Sequence, residues 1–253
     1  MVSHIFRRVK PGSVVHHFDR RFRELGTARR AEGARAYMKS VLRSPRWRFH
    51  GVDAAQLRAK CAAFCNAHPD MDRNQLTAYA TALFATDAFD LRSVAIALLE
   101  RKGKLLQASD VAWLVELARA GACWAHVDYV ATAVIDRLLE REGDVARWGR
   151  AWARDDCFWV RRVALLCQLR PLRRGAGDFA LFAEIAAPML VEKEFFIRKA
   201  IGWVLREVSK QRPALVRDFL APHATTASGV TWREATKYLH EGMNLYIYKA
   251  RHL

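Results

Sequence analysis

Trp124 and Asp128 stand four residues apart, which on a helix puts them on one face, a turn apart. An indole ring face attracts a cation, and a carboxylate beside it stabilises positive charge as it develops. The pair suits a cationic ligand or a cationic transition state; an acid paired with a basic neighbour and a tryptophan in the core is the simpler alternative. Trp203 follows Gly202 in a second apolar segment. A mid-helix glycine costs about 1 kcal/mol relative to alanine, so a close approach by another backbone or by a ligand is expected there, tight helix packing being the plainer reason. Arg161 and Arg162 are adjacent, and two guanidinium forks can grip a phosphate. One phosphate contact and one structural ion pair would account for them as well.

Other groupings point less sharply. Tyr37, Lys39, Arg43, Arg46, Trp47 and Arg48 form a basic, aromatic stretch that either clamps a nucleic-acid backbone or is a solvated helix face and its loop. Cys61, Cys65 and His68 fall at i, i+4 and i+7. A zinc site needs a fourth ligand that the sequence does not name, so a buried thiol pair is the better reading. Phe195 and Phe196 read as core. The glycine-rich, metallohydrolase and serine-hydrolase motifs are absent.

The elements that must position these residues are helices. Apolar residues recur at three- and four-residue spacing, which predicts helices over 13–24, 28–42, 53–67, 73–85, 87–102, 110–120, 124–141, 144–153, 158–168, 178–190, 194–209, 213–221 and 231–240. Breakers lie between them, Pro171 and Ser228-Gly229 included, and Asp53, Asp72, Ser109 and Asp144 stand where N-caps belong. Five segments share a pattern, beginning at Leu91, Val127, Val160, Ile197 and Trp232, with spacings of 36, 33, 37 and 35 residues. Its second position is Arg92, Arg161, Arg198 and Arg233 in four copies and Asp128 in one. Helix pairs repeating at this period mean a solenoid. The tetratricopeptide signature is missing, and an apolar-Arg-x-Ala/Val start looks more like a HEAT-type array. The expectation is an all-α, HEAT-like solenoid over 1–253, one domain with a concave basic face, 1–12 as a loose basic arm and 241–253 as a tail. The arginines either line a trough for a long anion or pair with acids on adjacent repeats.

The 253 residues are 52% hydrophobic and 27% charged, a folded rather than disordered composition. Lys plus Arg number 42 against 26 Asp plus Glu, a net charge of +16. A polyanionic partner follows, nucleic acid first and an anionic membrane second. There is no 18-residue apolar run for a spanning helix and no signal-peptide core. Five cysteines without a CxxC spacing fit a reducing cytoplasm.

Three stretches then carry a family resemblance: Cys123-Trp124-Ala125-His126-Val127-Asp128, Phe158-Trp159-Val160-Arg161-Arg162-Val163-Ala164-Leu165, and the run from Glu192 to Glu207 that contains Lys193-Glu194-Phe195-Phe196-Ile197-Arg198-Lys199-Ala200-Ile201-Gly202-Trp203. With Ala36-Tyr37-Met38-Lys39 and Arg233-Glu234-Ala235-Thr236-Lys237, the chain from Arg35 to Leu239 resembles the HEAT-like-repeat DNA alkylation repair proteins of the AlkD type. The resemblance implies a monofunctional DNA glycosylase that releases cationic alkylated purines, such as 3-alkyladenine and 7-alkylguanine, from double-stranded DNA. It implies no metal, no cofactor and no base flipping; the expected partner is DNA, with no membrane and no obligate protein partner, and a monomer is the default. On that pattern Asp128, Trp124 and Trp203 are catalytic. Arg162 holds the DNA backbone and Tyr37 lies near the lesion, with Lys39, Arg43, Arg161, Arg198, Lys199 and Arg233 as further DNA contacts. The sequence departs from the pattern at Cys123, where a second Trp can precede Trp124, and at Arg161 and Arg198, where some members have Gln. Two further classes stay open. One is a non-catalytic solenoid binding branched or damaged DNA, in which an acid near phosphates gains nothing. The other is a protein-binding HEAT scaffold.

Overall fold

The computed structural model describes residues 10–42 and 47–239. All regular elements among them are helical. By packing, the chain divides into two compact units between Gln107 and Ala108, a division that no composition shift in the sequence announces.

In the first unit the helices are α1 (Pro11–Leu25), α2 (Ala28–Leu42), α3 (Ala54–Ala67), α4 (Arg73–Phe84) and α5 (Phe89–Arg101). Proline at the first turn of α1 gives up an N–H that has no helical partner anyway. Asp53 and Asp72 open α3 and α4 with capping boxes, accepting from the Gln56 and Gln75 N–H groups at 2.8 and 2.7 Å. Helix α1 packs on α4, and α3 and α4 pack on α5, around Phe18, Phe22, Phe64, Leu76, Leu83, Leu91 and Leu98. The extended chain at Arg48 pairs with the start of α5 (Phe89 N–H to Arg48 O, 2.9 Å). Buried beside it, the His50 ring lies between Asp19 (Nε2, 2.9 Å) and Asp90 (Nδ1, 3.3 Å) and ties this segment to α1 and α5.

The second unit holds α6 (Val111–Gly121), α7 (Trp124–Tyr129), α8 (Asp136–Glu142), α9 (Val145–Trp152), α10 (Phe158–Leu166), α11 (Leu169–Arg173), α12 (Phe179–Met189), α13 (Phe195–Ser209), α14 (Pro213–Leu220) and α15 (Gly229–Ala235). A π-helical turn, Val130–Ile135, joins α7 to α8 in one continuous helix. Helices α7, α10, α13 and α15 pack side by side in that order, so the recurring pattern falls at equivalent places on successive helices, as stacked repeats require. The period returns as bonds between neighbouring repeats. Arg119–Asp155 spans 36 residues, Arg150–Glu184 34, Lys199–Glu234 35 and Arg173–Glu207 34. Four details differ from the sequence expectation. Pro171 lies inside the short helix α11 rather than in a break. Ser109 belongs to a 3-10 turn, Ala108–Asp110, and the residue immediately before α6 is Asp110. Asp144 precedes α9 without a side-chain cap bond. Ser228 caps α15 through the Thr231 N–H at 3.2 Å, so that helix starts at Gly229 and ends at Ala235.

Candidate active site

Asp128 lies on α7, the first helix of the α7, α10, α13, α15 stack, one turn after Trp124, which opens that helix. Just after it comes the π turn, where the Thr132 hydroxyl donates to the Asp128 carbonyl oxygen at 2.7 Å; such turns recur at functional positions. The carboxylate meets Arg162 of α10 in a two-bond fork, Nε to Oδ1 at 2.6 Å and Nη2 to Oδ2 at 2.8 Å. The third guanidinium nitrogen, Nη1, donates to the Phe196 carbonyl oxygen of α13. The Arg162 side chain is 3% exposed and that of Asp128 13%. Arg162 therefore joins three successive repeats and keeps almost no surface, while Asp128 keeps an edge open. A carboxylate has about four lone-pair sites, and the fork engages two of them. Burial pushes the Asp128 carboxyl above the ordinary aspartate range, and the hydrogen bonds and charge of Arg162 oppose that rise.

The equivalent position in other repeats behaves differently. Arg92 Nε donates to Thr86 O at 2.8 Å, Arg161 Nη1 to Asp155 O at 2.7 Å, and Arg198 Nε to Glu192 O at 2.6 Å. In each case the acceptor is six residues earlier, so the arginine braces the loop entering its own helix. Asp128 has no proton to donate. The residue six before it, Ala122, takes up a left-handed conformation (φ 45°, ψ 25°), the one non-glycine among the described residues with positive φ. A Cβ in that region costs about 1–2 kcal/mol. The strained loop and the acid occur in the same repeat.

The remaining expected site residues sort as follows. Trp124 is half-buried on the Asp128 side of its helix. Trp203 is also half-buried; on α13 it shares a stripe with Phe196, two turns earlier. Gly202 is explained by packing alone, because a Cβ there would lie 2.6 Å from Glu234 Cβ and 3.0 Å from Thr231 O of α15. Arg161 bonds both Glu192 carboxylate oxygens (3.0 and 2.8 Å) besides its loop, and Lys199 is paired with Glu234 at 2.5 Å. Of the two readings left open for these arginines, bonding within the protein is seen at Arg161 and Arg162, all three of whose guanidinium nitrogens are engaged, and Arg198 gives its Nε to Glu192 O. Lys199 stays 42% exposed and Arg233 is exposed. Tyr37 and Lys39, on α2 of the other unit, are exposed. Arg43 and Arg46 lie outside the described residues. Trp47 is buried beneath Arg92, whose guanidinium lies 4.2 Å from its ring centre, and Arg48 pairs with Asp19 at 3.1 Å, so neither forms an open clamp.

Two things escaped the sequence reading. An aromatic tier, Phe158, Trp159, Phe196 and Phe195, adjoins the Asp128–Arg162 pair with neighbouring ring centres 4.4, 4.9 and 5.4 Å apart. Its last member, Phe195, is 51% exposed rather than core. The pairing of Asp128 with Arg162 also went unread, although adding one repeat period to 128 reaches it. Cys61 and Cys65 are both buried, as a thiol pair. Among the described residues no three His, Cys, Asp or Glu side chains gather as a metal-binding group. No helix there is long and apolar enough to cross a membrane.

Comparison with solved structures finds the same fold elsewhere. A predicted DNA alkylation repair enzyme from Enterococcus faecalis is 24% identical with a TM-score of 0.77, over 86% of this chain and 98% of that one. AlkD2 from Streptococcus mutans is 15% identical with a TM-score of 0.58, over 82% and 98%. The protein smu.31 from Streptococcus mutans UA159 is 16% identical with a TM-score of 0.58, over 81% and 99%. No curated protein matches the chain. The family model of the DNA alkylation repair enzymes covers residues 18–239, and the chain belongs to that family.

Proposed function

We propose that this protein is a monofunctional DNA glycosylase that hydrolyses the N-glycosidic bond of cationic alkylated purines, 3-alkyladenine and 7-alkylguanine, in duplex DNA. The observation that carries the reading is the Asp128 carboxylate, held by the Arg162 fork with one edge open, in a chain of net charge +16. An alkylated purine cation leaves as a neutral base. The bond from the sugar carbon to the ring nitrogen breaks, its electron pair goes to the base, and no acid is needed to protonate the leaving group. Positive charge then develops on the sugar. Asp128 stabilises it, orients a water toward the anomeric carbon and takes that water's proton. Trp124 and Trp203 pack against the sugar and favour its charge through their ring faces.

Arg162 acts here by positioning Asp128 and favouring its charged form, rather than by reaching a phosphate. Backbone contacts fall to the basic groups that keep surface, Lys39, Lys199 and Arg233, with Tyr37 beside the duplex. The same reading keeps the base within the duplex, whereas flipping enzymes draw it into a snug pocket. The protein would act as a cytoplasmic monomer.

The depth of the Asp128–Arg162 pair favours one other reading, a non-catalytic repeat protein that binds branched or damaged DNA and uses the pair only to join repeats. Incubation with methylated duplex DNA and chromatography of the free bases separates them. Release of 3-methyladenine or 7-methylguanine establishes the glycosylase. Tight, salt-dependent binding without release establishes the binder.

A further inference from the structure

Helices α1 and α2 are each 15 residues long, yet only one has a core side. Helix α1 buries Val14, Phe18 and Phe22 at i, i+4 and i+8. In α2 only Met38 is buried among its described side chains, and among the described residues no other helix packs extensively along it. Beyond a Thr27 cap, whose hydroxyl accepts from the Arg30 N–H at 3.4 Å, its sequence compensates little. Gly33 sits in mid-helix, Arg29 and Arg30 occupy the first turn where no acid is present, and Arg35 and Lys39 are like charges four apart. The first costs helix stability outright, the second opposes the helix dipole and the third repels. Isolated helices of this length are marginal even with favourable sequences.

The base of α2 is nevertheless fixed. The Thr27 N–H donates to Gly51 O at 3.2 Å, and Gly51 (φ +80°) approaches so closely that a Cβ there would lie 2.2 Å from Thr27 O. Arg30 reaches Asp53 at 3.6 Å. Beyond this anchor the helix presents Arg29, Arg35 and Lys39 to solvent, with a single acid, Glu32. A helix that binds a membrane surface needs a broad apolar face, which α2 lacks. A helix completed by phosphates needs this one's charge.

We propose that α2 is a duplex-binding arm whose helix is completed by the DNA backbone, so that helix formation over 28–42 is coupled to binding. The inference rests on duplex DNA being the partner and is independent of any base release. Folding on binding then lowers the apparent affinity by the fraction of protein in which α2 is already formed, and pre-forming the helix restores it.

Gly33 offers the test, because a Cβ there meets nothing within 4 Å. Gly33→Ala in the full chain should tighten binding of an unmodified duplex about fivefold, the Ala–Gly propensity difference at 1.4 kcal/mol per tenfold. Gly33→Pro should weaken it. Hydrogen exchange over 28–42 should be fast in the free protein and slow with the duplex, the protection fading at high salt. Unchanged affinity in Gly33→Ala, or slow exchange over α2 without DNA, overturns the inference. So does protection by vesicles of phosphatidylglycerol but not by duplex. If the duplex slows exchange only in residues 108–239, the arm is refuted and DNA binding stands. If wild type binds no duplex at all, the DNA reading itself fails.

Discussion

One position in the repeat is occupied in two ways. In three copies an arginine turns back and braces the loop six residues behind it. In the copy at Asp128 the loop has no such brace, Ala122 takes a left-handed backbone, and the side chain meets Arg162 of the next repeat instead. In those three copies the arginine serves loop architecture. The exception is informative because its side chain has been released from that duty. Burying an ion pair is a weak route to stability, since desolvation offsets most of the attraction. A buried, oriented carboxylate in a basic protein is better explained by the charge it can stabilise.

The comparison can be broken most severely at Arg162. Arg162→Ala leaves a buried carboxylate and the Phe196 carbonyl without their donor, and should cost about 3–5 kcal/mol of stability by urea unfolding. Loss of DNA affinity with stability unchanged would return Arg162 to a phosphate role. The pH dependence of base release sharpens the same point. The proposed chemistry needs Asp128 deprotonated and burial raises its pKa, so release should fall as pH drops through a value above the ordinary aspartate one. Arg162 opposes the rise, so Arg162→Ala should move that acid limb to still higher pH in single-turnover profiles. An unmoved limb would mean that Arg162 does not tune Asp128.

Smaller effects test the bracing arginines. Arg198→Ala removes a charge-assisted bond to Glu192 O from a half-buried residue and should cost about 1.5 kcal/mol of stability, with duplex affinity little changed. The reverse outcome would restore the basic trough. Ala122→Gly should gain about 0.5–1 kcal/mol, relief of the left-handed strain less the extra freedom of glycine in the unfolded chain. It is read as a rise in melting temperature, and a fall would show that Ala122 is not strained.

Much of this was legible in the sequence, because helices follow from local apolar spacing. The capping boxes at Asp53 and Asp72 needed only side chains three residues apart. The repeat period and the anomaly of Asp128 were visible as pattern. What Asp128 touches was not, because its partner is 34 residues away and is fixed by stacking. The bracing bonds went unread for a different reason, since an arginine's reach to a carbonyl depends on loop geometry. The π turn and the conformation of Ala122 are backbone properties that no residue type there demands, and Phe195 looked like core because its exposure depends on where the next repeat ends.

The most direct test of the central claim is a single-turnover assay of 7-methylguanine release from methylated duplex DNA by wild type and Asp128→Asn, with duplex affinity measured on the same preparations. The account predicts that release falls at least about 100-fold in the variant while affinity holds or rises. Release at the wild-type rate, or weakened binding with catalysis intact, would contradict it.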